Sequence, residues 1–257
     1  MKSKVAVEKT KKFYAKPLEE RIETIKEDDL AHLPDIIQNY ICNINLLDNK
    51  EIKRVKLKQQ GEFKLKSNST WKTYNAEQYV NTESMSFLWY AKIRMAPFMN
   101  IHVIDEYIDG KGNLNAKLFN FITIVDEKGP KLDKGEFLRF LSEMPWYPTF
   151  YLNKKIIWNS KGENVIEVEL SENNTTINGT ILFNTDGLIK EFSAERYYTD
   201  GEDKSLEEWH GYWDSYKIIN NVLIPTKFKV CWRLDDKKYC YIRGEVTDIE
   251  FNNPNIY

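Results

Sequence analysis

No stretch of eighteen apolar residues occurs in the 257-residue sequence, so no segment reads as a membrane-spanning helix. The lysines near the N-terminus are followed by no apolar run, so no secretory signal is visible. Cysteine is scarce: Cys42, Cys231 and Cys240 form no Cys-x-x-Cys pair. That usage fits a reducing compartment, and the expectation is a cytoplasmic protein with free thiols. The sequons at Asn68, Asn173, Asn174 and Asn178 then carry little weight. The motifs that announce common chemistries are also missing. There is no His-Glu-x-x-His, no glycine-rich phosphate loop and no Gly-x-Ser-x-Gly elbow. Zinc protease, nucleotide-binding and serine hydrolase readings lose their basis, and no cofactor is expected. With a net charge of −2, a dedicated nucleic-acid binder is not expected either. The 11 glycines and 8 prolines are too few for a disordered, low-complexity chain.

What is present points to sheet. Hydrophobic residues make up 42% and aromatics 14%, and aromatic side chains suit pleated, half-buried surfaces. Two helices are expected first. Pro17 can open one, with Leu18, Ile22 and Ile25 at helical spacing over residues 18–29. Leu33-Pro34 opens the second over 34–47, whose stripe is Ile36, Ile37, Tyr40, Ile41, Ile44 and Leu47. The period then changes to two. From Val55 to Leu65 the odd positions are mostly apolar and the even ones polar, which makes a strand with one wet face. Strand-like runs follow at 71–80, 86–95, 100–108, 113–125, 164–171, 175–183, 188–198, 208–219, 222–233 and 238–251. One helix interrupts them at 133–144, with Asp133 and Glu136 as a capping box and Pro145 and Pro148 as its stop. The fold class is therefore mainly β: a long curved antiparallel sheet with a helical N-terminus and one inserted helix, in a single domain over 1–257.

Turn chemistry sets several registers. Two-residue loops at Asn220-Asn221 and Asp235-Asp236 would pair Trp213 with Phe228, Trp209 with Trp232, Asp214 with Lys227, Trp232 with Tyr239 and Val230 with Tyr241. Cys231 then lies opposite Cys240, and His210 falls in the same row. A row across strands is nearly linear and suits tetrahedral zinc poorly, so three ordinary side chains are the plainer reading and no metal is expected.

Several segments resemble a bacterial and archaeal family without an assigned activity. The carrying residues are Leu33-Pro34…Tyr40, Gln60-Gly61-Glu62-Phe63, Trp89-x-Ala91…Met95-x-Pro97 and Asp105-x-Tyr107-x-x-Gly110-x-Gly112. The most specific is Arg139-Phe140-Leu141-Ser142-Glu143-x-x-Trp146-x-Pro148; Arg196, Trp209-x-Gly211-Tyr212, Pro225 and Trp232 complete the set. The resemblance spans about 33–250 and implies no catalytic residues. By architecture it is similar to the lipoprotein-carrier half-barrels, which by itself says nothing certain about function.

Asp105 draws attention because it shares a strand face with Ile101, Val103 and Tyr107, and an acid on an apolar face must be paired, hydrogen-bonded or protonated. A loop at Gly110-Lys111 would set it opposite Ala116, with space above it. Arg139 and Arg196 are candidate partners, and Arg139 and Glu143 stand four apart on the inserted helix. This set is either an acid/base or ligand-anchoring site or, more plainly, an ion network tying helix to sheet. Trp89, Trp209, Trp213 and Trp232 are either core or the wall of an apolar pocket. The stripe Arg54, Lys56, Lys58, Lys64 and Lys66 reads as a solvated face guarding a sheet edge, the sharper alternative being weak contact with an anionic membrane.

The function expected is binding of a hydrophobic or amphipathic, lipid-like small molecule in an interior pocket. At least two of the four tryptophans would border it, with Asp105, Arg139 or Arg196 at its mouth and Tyr107, Glu143 and Trp146 nearby. The alternatives are a hydrolase or isomerase using Asp105 or Glu143 as acid/base, and a scaffold without ligand.

Overall fold

The computed structural model describes residues 4–14, 22–200 and 203–257. Their α-helices are α1 (Lys4–Tyr14), α2 (Asp35–Asn43) and α3 (Pro130–Ser142). The strands are β1 (Arg54–Phe63), β2 (Lys72–Asn81), β3 (Ser86–Ala96), β4 (Met99–Ile108), β5 (Lys111–Leu118), β6 (Ile122–Lys128) and β7 (Ile156–Ser160). They continue with β8 (Val165–Glu172), β9 (Thr175–Phe183), β10 (Ile189–Asp200), β11 (Asp203–Ile219), β12 (Val222–Leu234) and β13 (Lys237–Phe251). All belong to one open, curved antiparallel sheet in the order β6-β5-β4-β3-β2-β1-β13-β12-β11-β10-β9-β8-β7.

Two meanders, β1 to β6 and β7 to β13, meet where β1 pairs with β13. The consecutive strands β6 and β7 thus occupy opposite edges of the sheet. The chain between them must cross a face of it, and it does so as α3 and the short 3-10 helices Met144–Trp146 and Pro148–Leu152. This crossing segment is buried almost throughout, with Phe137, Phe140, Leu141, Met144, Trp146 and Tyr147 each no more than 1% exposed. With Ile37, Tyr40 and Ile41 of α2 it covers the face carrying Val55, Leu57, Phe87, Val168, Ile181 and Ile224.

The helical N-terminus differs from the expectation in its details. Residues 18–21 lie outside the described residues, and 22–26 form no helix. Thr24 bridges Lys50, and Ile25 donates its amide to the Asn49 carbonyl and accepts from the Asp48 amide in the loop after α2. Only Glu27–Leu30 is helical, as 3-10. The first helix is α1, whose Ala6, Thr10 and Tyr14 recur every four residues and are buried. That spacing was the signal for it. The second helix stops at Asn43 because Asn45 and Asp48 turn left-handed, although Ile44 and Leu46 beyond it stay buried. The inserted helix starts earlier than expected, at Pro130 behind Gly129 with φ 113°. Asp133 is consequently inside it, accepting from the Gly112 amide at 2.8 Å and from Lys111 at 3.0 Å.

The expected strand 113–125 is two strands, divided at Phe119-Asn120-Phe121, and the five-residue edge strand β7 was not foreseen. Of the expected registers, Trp213 faces Phe228, Trp209 faces Trp232, Asp214 faces Lys227 and Trp232 faces Tyr239. A bulge after Val230 moves that residue opposite Ile242 instead of Tyr241. The β4–β5 loop is Asp109-Gly110, both left-handed, so Asp105 faces Leu114 and not Ala116. Nor does the lysine stripe guard an edge. β1 sits in mid-sheet, where Arg54 and Lys56 are buried. Arg54 donates to the Tyr14 carbonyl of α1, and Lys56 meets Glu250 at 3.1 Å beneath the Tyr257 ring.

Cys231 and Cys240 are opposite each other as expected, but they are joined in a disulfide, and Cys42 is the free cysteine. Both thiols are thereby spent on each other, and His210 in the same row bonds Glu191 at 2.7 Å. A bridge of this span constrains the unfolded chain by ~2–3 kcal/mol in the loop-entropy treatment. Thiol titration in denaturant should therefore find one reactive thiol per chain. Reductant should lower the urea midpoint correspondingly; three thiols and no response would refute the bond.

Candidate functional site

The crossing segment carries charge into the core. Arg139 on α3 donates from Nη1 to Asp105 Oδ2 at 2.6 Å and from Nε to Glu143 Oε1 at 2.9 Å. Its guanidinium lies over the rings of Phe87 and Trp89, 4.6 and 5.3 Å from their centroids. Arg196 of β10 donates to Glu136 Oε1 at 2.6 Å and stacks over Trp209 at 5.1 Å. Glu136 is also 3.9 Å from Arg139, which links the two pairs into one cluster. Gln78 of β2 donates its amide to Glu143 Oε2. Helix and sheet come this close because residue 135 is glycine: a Cβ there would stand 3.1 Å from Arg196 Nε.

Three carboxylates thus share two guanidiniums, one negative charge too many for a buried site if all ionise. The excess falls on Asp105, whose carboxyl is pushed up to about 7 by burial and by Glu136, against the pull of Arg139 and Arg196. Its Oδ1 and Glu136 Oε2 have no hydrogen-bond partner. Burial disfavours the charge of Arg139, but Glu143, Asp105 and Glu136 together hold it firmly protonated. The plainer of the two sequence readings, a network that ties helix to sheet, describes this geometry.

The remaining expected site residues are placed in packing roles. Tyr107 stacks on Phe137 at 5.4 Å. Trp146 sits edge-on to Trp213 and Phe228, its Nε1 donating to the Pro225 carbonyl at 3.1 Å. Trp89 donates to Gln59 at 2.9 Å, Trp209 donates to the Tyr241 hydroxyl at 3.2 Å, and Trp232 packs on Tyr198. Sequence reasoning missed Glu136, Gln78 and Gln59. The capping-box reading of Asp133 concealed Glu136. The two glutamines were legible as polar residues at inward positions of β2 and β1, where Tyr74, Ala76, Val80, Val55 and Leu57 are their apolar companions.

A cavity lies elsewhere. It holds about 1000 Å³ and extends over strands β2, β1, β13, β12, β11 and β10. Glu62, Thr73, Tyr212, Lys229 and Arg243 stand in its walls, and they alternate with the helix-facing Tyr74, Trp213 and Phe228. The cavity therefore opens on the face away from α3. At its floor Gly61 is paired with Gly244. A Cβ on Gly61 would stand 2.1 Å from the Arg243 carbonyl oxygen, and one on Gly244 would stand 2.5 Å from the Tyr74 hydroxyl, so neither strand tolerates a side chain there. Tyr212 gives outward aromatic surface, while Lys190, Lys227 and Lys229 give positive charge that Asp214 and Glu245 offset in part. A second cavity of about 390 Å³ is acidic, with Glu167, Glu169, Glu195 and Glu208 around His210. A third of the same volume lies between Lys9, Lys12 and Phe13 of α1 and the ends of β2 to β4.

None of the three is bordered by two of Trp89, Trp209, Trp213 and Trp232, and Asp105, Arg139, Glu143 and Arg196 line none of them. The structure brings these residues together in packing contacts and ion pairs rather than around any of these three cavities. Helix-facing aromatics are filled by Trp146, Phe137 and their neighbours, because the crossing segment supplies more side chains than short helices alone would.

Fold and site define a class: an open antiparallel sheet with α2 and α3 on one face and a cavity of about 1000 Å³ on the other. The chain belongs to a family of unknown function, DUF6920, whose model matches residues 31–251. No curated protein sequence matches it. Among solved structures it is similar to a Vibrio parahaemolyticus domain named for outer membrane lipoprotein sorting, at 10% identity and TM-score 0.48, covering 85% of this chain and 91% of that one. A LolA superfamily protein from Nitrosomonas europaea is similar at 9% identity and TM-score 0.43, over 85% and 92% of the two chains. A DUF1329 family protein from Desulfovibrio piger follows at 7% and 0.39, over 85% and 91%.

Two outcomes test the cluster. Arg139→Met leaves carboxylates buried without their cation, and should cost ~3–5 kcal/mol in urea unfolding. Asp105 has a folded-state pKa of about 7 against an ordinary 3.8, so its contribution to stability is complete below pH 3.8 and is lost as pH rises through 7. Asp105→Asn, which cannot ionise, should lack that decline. The melting temperature of the variant relative to the parent should rise from pH 4 to pH 8, and parallel pH curves would show that Asp105 does not titrate there.

Proposed function

We propose that the protein binds a hydrophobic or amphipathic small molecule with an acidic end, in the cavity over the β1–β13 seam. The observation that carries this reading is a volume of about 1000 Å³ that combines the outward Tyr212 ring with Lys190, Lys227 and Lys229. Small-molecule sites typically span ~300–1,000 Å³ and join apolar walls to a few placed polar groups. Arg243 and Glu62 neutralise each other at 2.5 Å, and Asp214 and Glu245 offset two of the three lysines, so the lining keeps a net charge of +1. The reading keeps the ligand class expected from the sequence but moves its seat to the opposite face of the sheet. Asp105, Arg139, Glu143 and Arg196 then support the sheet behind the site without touching the ligand. The Cys231–Cys240 bond supports an oxidising place of work over the cytoplasm.

An environment-sensitive apolar dye should bind the folded protein and be displaced by long-chain fatty acids. Tyr212→Ala and Lys229→Glu, both on the cavity wall, should each weaken displacement roughly tenfold, in keeping with one lost aromatic or charged contact. Trp232→Ala should lower stability by ~3–5 kcal/mol yet leave the dye affinity of the folded protein unchanged. A folded protein that takes up no dye would return the scaffold reading to first place.

A further inference from the structure

Apolar surface is exposed at one corner of the sheet, away from every cavity described above. The β3–β4 turn is Pro97-Phe98 and the β5–β6 turn is Phe119-Asn120-Phe121. The Phe119 amide donates to the Asn100 carbonyl at 3.2 Å, which sets the two turns side by side. Phe98 is 96% exposed and Phe121 73%, and Ile122 and Ile124 continue the apolar surface along the first residues of β6. Phe119 and Phe121 stack on each other at 6.1 Å rather than on the core.

Folding gives no reason for these side chains. Turn positions of this kind favour glycine, asparagine or aspartate, as in Asp109-Gly110, Asn220-Asn221 and Asp235-Asp236 of this same sheet. Phe98 and Phe119 nevertheless occupy left-handed backbone, with φ of 63° and 53°, where a bulky residue is disfavoured. The corner thus bears an unfavourable backbone conformation and an unfavourable exposure at the same residues, which marks a surface kept for contact.

Charge identifies the partner. Residues 91–104 and 115–125, which form these hairpin ends, contain Lys92, Arg94 and Lys117 and no carboxylate. Lys92 and Lys117 flank His102 in one row across the sheet, and Arg94 faces Asn100 beside the turn. His102 is held below its ordinary pKa by burial and by Lys92, so it adds little charge near neutrality. Aromatic tips ringed by cations match the boundary of a bilayer rich in anionic lipid, where rings settle among the headgroups and lysine and arginine meet phosphate. A second copy pairing through edge strand β6 is a poorer fit. That strand is seven residues long and interrupted by a bulge after Ala116 of its partner, and it carries Asp126 and Glu127, all features that blunt edge pairing.

We propose that the Phe98 and Phe119–Phe121 turns form a membrane-docking tip that inserts into the interfacial layer of an anionic bilayer. The tip goes beyond the cavity reading and does not depend on it, since dye binding and vesicle binding are measured separately. Co-sedimentation of the full chain with vesicles of equal parts phosphatidylcholine and phosphatidylglycerol tests it, with pure phosphatidylcholine vesicles alongside. The protein should partition onto the anionic vesicles and much less onto the neutral ones. The double variant Phe98→Asn/Phe121→Ser should lose at least about tenfold in partitioning, because two rings leave the interface. Arg94→Gln should lose about fivefold. Ile157→Ser, which removes an exposed apolar residue at the other edge of the sheet, should change nothing. Since asparagine tolerates left-handed backbone better than phenylalanine, the double variant should melt at the parental temperature or above it. A clear fall in melting temperature would make Phe98 a structural residue and overturn the proposal. Absence of binding, equal binding to both vesicle types, or binding that survives the double change would also overturn it. So would concentration-dependent dimers that the double change abolishes without any vesicle binding, which would assign the patch to a second copy.

Discussion

Arg139 is the point at which the helical layer is fastened to the sheet, and much of the rest follows from the cost of placing a guanidinium there. A buried cation needs carboxylates within hydrogen-bond reach, and one comes from β4 as Asp105 and one from its own helix as Glu143. Glu136 then needs a cation of its own, which Arg196 brings from the other half of the sheet. One side chain network therefore holds α3 against both meanders at once, on either side of the β1–β13 seam. A purely apolar contact could slide along the sheet, whereas these paired groups hold one register. The surplus carboxylate is the consequence, and a proton on Asp105 near neutrality relieves it.

The topology explains why such a fastening is needed. Because β6 and β7 lie at opposite edges, α3 and the two 3-10 helices after it run across the full sheet with no strand pairing of their own. Their position depends wholly on side chains: Trp146 against Trp213 and Phe228, Tyr107 against Phe137, and the charge cluster between them. That layer buries the helix-facing side chains of the sheet in one hydrophobic core. Curvature leaves unfilled space on the other face, where the Gly61–Gly244 pair brings β1 and β13 close and the flanking rows are polar. The charge cluster and the proposed binding cavity thus lie on opposite faces of the same strands.

Period-two spacing, turn residues and aromatic content were enough to read a mainly antiparallel sheet, most of its strands and the pairing of β11 with β12. These are local properties: side-chain alternation and the left-handed preference of Asn-Asn or Asp-Asp act within a few residues. The polar core was legible in part for the same reason, since an acid between Val103 and Tyr107 announces its need for a partner and arginine is the natural one. Which arginine, and the company of Glu136 and Gln78, depended on how a helix from one hairpin's end lies across strands far away in sequence. Tertiary structure alone decided the rest. A loop read one residue late moved Asp105 from Ala116 to Leu114. A bulge after Val230 changed one pairing while leaving Cys231 and Cys240 face to face. Arg54 and Lys56 of β1 became interior because β13 closed over what the sequence presented as an edge. The cavity was invisible for the same reason: its walls come from six strands, and no single strand's pattern records how a sheet bends.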